Sequence, residues 1–323
     1  MKIFFNKICY VFTVLILIPN ALWSKNIQEQ LQQGEVVLEN RPVEVDKISY
    51  KTLGKEGNPW LVLVHGLGGN KNTWSVVAEK LSKNFQILMY DQRGHGSTTI
   101  NSDNYTSSTM ARDLVELMNK LNIPKAHLVG HSMGGRTVLR FGATYPERTL
   151  SVTVEDMHAM GRTKILNDLT ELSRKINPLY KPIFNSAEDF YHTYQPYMQW
   201  ENPKSILMYG HIEKDSGRFI LNFKPHVNML YSNQALQEDL TSALTKIKAP
   251  TTFFAAGDLN EAVLFGKGID HILQNKPDVQ IVKFDNAGHS IHWDTDKLFL
   301  QELKKSTDRF YKTSATCSSL FHD

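Results

Sequence analysis

The run Gly130, His131, Ser132, Met133, Gly134, Gly135 sets a hydroxyl between glycines two positions away on either side. It follows the apolar run Ala126 to Val129 and precedes a helical pattern from Thr137 to Tyr145, so the serine stands at a strand-to-helix turn. Such a turn strains the backbone, and only small residues two positions away avoid the neighbouring strand and helix. It lifts the Ser132 hydroxyl above the sheet and brings the first amides of the helix beneath it, where partial positive charge favours an oxyanion. The chemistry this permits is attack of Ser132 on a carbonyl carbon, with the Met133 amide as one oxyanion donor.

One amide holds a tetrahedral oxyanion poorly, since each lost donor costs roughly 3 kcal/mol of transition-state stabilisation. His65, Gly66, Leu67, Gly68 and Gly69 follow the apolar run Trp60 to Val64, and their glycines let the backbone come close to a substrate. The Leu67 amide is the candidate second donor. A general base must take the Ser132 proton, and histidine titrates near working pH. Of the 12 histidines, His289 is the candidate: it lies in Asn286, Ala287, Gly288, His289, Ser290, just past the last strand-like run, in the third place expected for such a triad. His292 imitates the spacing of a metal-ligand pair, yet no third ligand with suitable spacing accompanies it, and packing beside the site is its expected role. The reaction needs neither a metal nor an organic cofactor.

Positioning these groups requires a sheet. Trp60 to Val64, Phe85 to Tyr90, Ala126 to Val129, Val152 to Val154, Thr251 to Ala256 and Val279 to Phe284 are short continuous apolar runs, as expected of parallel strands buried on both faces. Helical patterns alternate with them, among them Met110, Leu114, Leu117, Met118 and Leu121, closed by Pro124. Glu35 to Leu38 and Val43 to Thr52 read as antiparallel edge strands, and Asp296 to Tyr311 as a final helix. From Met157 to about Lys248 the alternation stops; amphipathic segments rich in Tyr, Phe, Pro and Asn predict a helical cap inserted between two strands. Its Phe184, Phe190, Tyr191, Tyr194, Tyr197 and Trp200 serve either as the lining of an apolar acyl pocket or as the cap's own core.

At 323 residues, 41% hydrophobic and 21% charged, the chain has the composition of an ordinary globular protein. Lys2 and Lys7 precede an apolar run from Ile8 to Ile18, too short to span a bilayer comfortably, with Leu22 and Ser24 at plausible −3 and −1 cleavage positions. Residues 1–24 therefore read as a signal peptide, with an uncleaved anchor as the alternative, which predicts an extracytoplasmic protein, periplasmic or secreted, with no stable membrane insertion after cleavage. Losing two lysines lowers the formal charge from +3 to +1, and no basic patch interleaved with aromatics marks a nucleic-acid partner. Cys317 is then alone in the mature chain, so no internal disulfide forms. The domain reading is 25–156 as the N-terminal part of the core, 157–248 as the cap, 249–312 as the C-terminal part of the core and 313–323 as a flexible tail.

Taken in order, His65 to Gly69, Asp91 to Ser97 (Asp, Gln, Arg, Gly, His, Gly, Ser), the Ser132 turn, and Gly288 with His289 resemble the α/β-hydrolase superfamily over about Glu35 to Tyr311. The resemblance implies an α/β-hydrolase fold: a mostly parallel central sheet flanked by helices, with an inserted helical cap. It implies a serine hydrolase like the carboxylesterases and lipases, in which the Asp91 to Ser97 loop is structural. The commonest pattern places the triad acid three residues after a glycine ending the strand Thr251 to Ala256, and counted from Gly257 that position holds Asn260. Asparagine does not stabilise an imidazolium as a carboxylate does. Members resembling carboxylesterases and haloalkane dehalogenases with an early acid carry it before the cap, which selects Asp156, eight positions after Arg148. Asp258, Glu261 and Glu155 are the alternatives. The expected activity is hydrolysis of a small acyl ester through an acyl-enzyme; serine at the nucleophile argues against dehalogenation and epoxide opening. Other acyl or carbon–carbon bond hydrolysis on the same triad, or a ligand-binding receptor of the same fold, are the alternatives.

Overall fold

The computed structural model describes residues 32–37, 45–100, 102–161, 183–194, 210–212, 216–221, 225–257, 263–264 and 266–319. The predicted signal peptide, Asp258, Asn260, Glu261, Tyr197 and Trp200 lie outside the described residues.

Nine described strands form one sheet: β1 (Gln32–Val37), β2 (Val45–Leu53), β3 (Trp60–Val64), β4 (Gln86–Tyr90), β5 (Thr99–Ile100), β6 (Ala126–His131), β7 (Thr149–Glu155), β11 (Thr251–Ala256) and β12 (Gln280–Phe284). Their order is β1-β2-β4-β3-β6-β7-β11-β12, with β5 beside β2. From β4 to β12 every neighbouring pair is parallel, while β1, β2 and β5 pair antiparallel. Five of the six apolar runs are parallel strands covered on both faces; the sixth, β12 at the end of the strand order, is half-buried, with Lys283 exposed. Val62, Val64, Leu128, Val152, Val154, Phe253 and Ala255 face one buried cluster, whereas Leu61, Leu63, Met89, Val129, Phe254 and Ala256 face another. That is the period of two expected of a pleated strand.

Helices α1 (Ser75–Leu81), α2 (Ser107–Lys120) and α3 (Met133–Thr144) link the strands of the N-terminal half. Helix α2 starts where the Thr106 side chain caps the Thr109 amide, and its Leu114, Leu117 and Met118 enter the first cluster. The final helix runs Asp296–Ser319, eight residues beyond the predicted end at Tyr311 and into the stretch read as a flexible tail. None of the described helices is long and apolar enough to cross a membrane.

Between β7 and β11 the chain leaves the sheet, as expected of an insertion. Its described part contains helices Ala187–Tyr194, Pro225–Asn233 and Thr241–Leu244. It also contains strands β8 (Ile183–Phe184), β9 (Gly210–Ile212) and β10 (Phe219–Leu221), paired antiparallel in the order β8-β10-β9, so the insertion is not wholly helical. Phe190 stands between Phe184 and Phe219, with ring centroids 5.2 and 4.7 Å away. All three are buried, so Phe184 and Phe190 pack as part of the core of this small layer.

The insertion is fastened to the nucleophile helix by Arg136. This fully buried side chain donates from Nε to Ala235 O (2.9 Å), from one terminal nitrogen to His158 O (3.3 Å) and Met160 O (3.1 Å), and from the other to Glu238 O. Arg140, one turn on, donates to Glu238 Oε2 at 3.2 Å. The buried guanidinium thus spends its donors on main-chain carbonyls from the first and last stretches of the insertion.

Candidate active site

Ser132 sits between the end of β6 and the start of α3 with φ 50° and ψ −112°, a strained region for any residue with a Cβ. The glycines around it are there for space. A Cβ on Gly130 would lie 2.2 Å from Gly134 O, and one on Gly134 would lie 2.3 Å from Val64 O and 2.7 Å from His65 O. These are backbone atoms that cannot rotate away. Gly134→Ala is therefore expected to cost about 3 kcal/mol, the upper end of overpacking penalties, read as a fall in the denaturant midpoint; a wild-type midpoint would refute the close-approach argument.

The Ser132 amide donates to Glu155 O on the neighbouring strand at 3.0 Å, which fixes the peptide plane ahead of the hydroxyl. Beyond it, the Met133 amide opens α3. The Leu67 amide belongs to a tight turn in which its neighbours are engaged: Gly69 N donates to Gly66 O at 3.1 Å and Gly68 N to His95 Nε2 at 3.1 Å. The side chains of Leu67 and Met133 pack together with Met110, Tyr231, Ala235 and Leu236. An apolar wall formed partly by the insertion thus adjoins the residues that carry both candidate donors.

The Asp91 to Ser97 loop is the buttress of this turn, in keeping with its expected structural part. Gln92 donates from its amide to His65 Nε2 (3.0 Å) and from its side chain to His65 O (2.6 Å), and Thr137 on α3 donates to Gln92 Oε1 at 2.8 Å. Arg93 makes a two-pronged buried ion pair with Asp113, 2.6 and 2.8 Å. Asp91 accepts from Lys71 Nζ at 2.6 Å and from the Ser97 amide at 2.9 Å. Leu67 and α3 are braced through one another.

His289 follows β12 on a turn closed by Gly288 N donating to Asp294 Oδ2 at 2.9 Å. Its Nδ1–H donates to Asp156 Oδ2 at 2.6 Å. The Asp156 side chain is fully buried, while that of His289 is 27% exposed, so the acid is sealed and the base reaches the surface of the site. Asp156 Oδ2 also accepts from Val263 N at 2.8 Å, and Oδ1 from Leu264 N at 2.9 Å. Asp156 has φ 43°, a left-handed conformation costing about 1–3 kcal/mol that surrounding contacts must hold. Among the described residues, two of the three non-glycine residues at positive φ are thus the candidate nucleophile and the candidate acid.

Glu155, the neighbouring alternative acid, does not reach His289. Its buried carboxylate accepts from His292 N at 2.8 Å and from His292 Nδ1 at 2.8 and 2.9 Å. Burial pushes the Glu155 carboxyl up, but the adjacent His292 and His131 and the bonds from His292 outweigh it and hold the carboxyl below the usual range. His131 completes the group: its Nε2–H donates to His289 O at 2.9 Å. Its ring centroid lies 4.7 Å from that of His289 and 5.4 Å from that of His292. His292 in turn stacks on Trp74 at 4.2 Å. The sequence offers one trace of this arrangement, the i, i+3 spacing of His289 and His292. Among the described residues no group of three or more His, Cys, Asp or Glu side chains is arranged to hold a metal ion.

Burial holds several histidines neutral: His131 down to about 3, His95 and His127 to about 4, and His65 well below the ordinary value. Each gains a proton on unfolding between its depressed native value and about pH 6.5. Stability is therefore complete above about pH 6.5 and falls as pH drops toward 4, by up to about 1.4 kcal/mol per pH unit per histidine. Calorimetry from pH 7 to 4.5 checks this; a melting temperature flat across that window would contradict it.

A family model described as alpha/beta hydrolase fold matches residues 59–296. The chain is 31% identical over 213 residues to a Pantoea ananatis protein named "Putative carbamate hydrolase RutD", covering 65% of this chain and 75% of that one. It is 25% identical over 261 residues to a Haemophilus influenzae protein named "Putative esterase/lipase", covering 76% and 82%. Among solved structures, E-2-(acetamidomethylene)succinate hydrolase superposes with a TM-score of 0.68 at 20% identity over 86% of this chain and 99% of that one, a likeness of fold. The sheet order, the strained serine turn and these relatives together make the chain a hydrolase belonging to the α/β-hydrolase fold family.

Proposed function

We propose that the protein is a serine hydrolase that cleaves a small acyl ester through an acyl-enzyme. The observation carrying this reading is the 2.6 Å bond from His289 Nδ1–H to a buried Asp156 that the amides of Ala256, Val263 and Leu264 hold in place. A carboxylate so held fixes the imidazole tautomer that leaves Nε2 free to take a proton, and it stabilises the imidazolium that results. Ser132 Oγ then attacks the acyl carbon as its proton passes to His289 Nε2, and the Leu67 and Met133 amides hold the oxyanion. Collapse breaks the bond to the alcohol oxygen, which takes the proton from His289. Water, deprotonated by the same imidazole, releases the acid and restores Ser132.

The names of the relatives, a carbamate hydrolase and an esterase, support a substrate with a carbonyl group, and the apolar wall of Met110, Tyr231 and Leu236 supports an acyl part with hydrocarbon character. The test is a fluorophosphonate label followed by peptide mapping, beside turnover of p-nitrophenyl esters of increasing chain length. A label on Ser132 together with turnover is expected. Labelling without turnover of any acyl substrate would favour a ligand-binding receptor, and a label elsewhere would refute the nucleophile. We read residues 1–24 as an export signal; mature protein outside the cytoplasm beginning at Lys25 is expected, and full-length chain retained in the cytosol would overturn this.

A further inference from the structure

We propose that Glu155, gripped by His292, is a positioning residue that sets Ser132 and His289 relative to each other and supplies a second buried negative charge behind the base. The inference rests on the reading of Ser132 as nucleophile and His289 as base. Three connections converge on this one residue. Its main-chain carbonyl accepts the Ser132 amide at 3.0 Å. Its carboxylate takes both the main-chain and the ring N–H of His292, three residues past His289 and on the same turn. Its chain neighbour is Asp156, which holds His289 itself. Moving Glu155 therefore disturbs the nucleophile, the base and the acid together.

The chemistry of the pair is unusual for mere packing. Both side chains are fully buried, and apolar residues of similar volume often serve stability as well as a buried polar pair or better. The titratable groups facing the Glu155 carboxylate are His292 and His131. His292 spends Nδ1–H on the carboxylate, and its Nε2 is buried with no partner among the described residues. With Nδ1 committed to the carboxylate and its face stacked on Trp74, the His292 ring is held in one orientation. His131 likewise gives Nε2–H to His289 O and has no partner at its buried Nδ1. Beside these two rings the Glu155 carboxyl is held below the usual carboxylate range, so it is ionised. When His289 takes the serine proton, two carboxylates act on the imidazolium: Asp156 by direct contact and Glu155 from behind the intervening His131 ring.

The experiment compares wild type, Glu155→Gln and Glu155→Asp on a short p-nitrophenyl ester. Glu155→Gln is expected to lower kcat about tenfold with KM little changed, and to move the acidic limb of the pH–rate profile down by about one pH unit, the shift equivalent to that tenfold change. Glu155→Asp keeps the charge and shortens the reach, so it should retain the acidic limb while losing turnover. A folded Glu155→Gln whose acidic limb coincides with wild type would overturn the proposal. If Glu155→Gln does not fold, full turnover by Glu155→Asp overturns it instead. The ring resonances of His289, followed against pH in wild type and Glu155→Gln, read the same charge without substrate. If the wild type neither labels at Ser132 nor turns over an ester, the functional reading fails, while a shifted His289 titration still sustains the link between Glu155 and His289.

Discussion

Ser132→Ala lowers kcat on a short p-nitrophenyl ester by about 10⁶-fold, the loss typical when a triad nucleophile is removed, while the variant folds as wild type. The expectation of intact folding is as specific as that of lost activity. The strain at this position comes from the backbone, with φ at 50°, and alanine meets the same constraint as serine because both carry a Cβ. The amide bond to Glu155 O is made by the main chain and survives the substitution. What disappears is the one atom able to form an acyl bond. Residual turnover above that of free solution is expected from the remaining oxyanion donors and binding. A variant with more than about 1% of wild-type turnover would exclude Ser132 as nucleophile.

Asp156→Asn is expected to cost about 10⁴-fold in kcat, the scale set by a wrong tautomer in a serine triad. Both Asp156 oxygens face donors: Oδ2 receives His289 Nδ1–H and Val263 N–H, and Oδ1 receives Leu264 N–H. An asparagine has one NH₂ group, and either orientation turns it against an existing N–H. Facing Leu264, it leaves that amide unpaired in the interior at about 1–3 kcal/mol. Facing His289, it drives the proton to Nε2, where the ring no longer accepts from Ser132. Asp258→Asn, measured beside it, should stay within about twofold of wild type, as usual for a carboxylate outside the reacting group. Full activity in Asp156→Asn, or a collapse in Asp258→Asn, would reassign the acid.

The parts of the molecule legible in the sequence are those whose physics is local. Trp60 to Val64 and Thr251 to Ala256 are found as strands at the residues predicted because an unbroken apolar run is what a strand covered on both faces requires. The Ser132 turn is legible because its glycines are obligatory. The three described strands in the insertion are two or three residues long, too short to show a period of two, and β8 pairs with a strand more than 30 positions away. The grouping of Glu155 with His292 was invisible for a related reason: 137 positions separate them, and a glutamate beside an aspartate reads simply as a rival for the same histidine. The same holds for Asp156, whose anchoring amides at Val263 and Leu264 lie more than 100 positions away. Chain order and spacing select it as acid, but only the folded chain reveals what keeps it in place.

The Arg136 tie has a consequence for how this scaffold changes over time. Its guanidinium closes on carbonyls at His158 and Met160 near one end of the insertion and at Ala235 and Glu238 near the other, and those acceptors are peptide groups that every amino acid supplies. The tie itself therefore sets no requirement on side chains between these two stretches, and among the described residues the one demand seen there from the serine turn is that Tyr231 keep packing with Met133 and Leu67. A graft that spares this wall would run from about residue 161 to about residue 224, ahead of the helix Pro225–Asn233 that carries Tyr231.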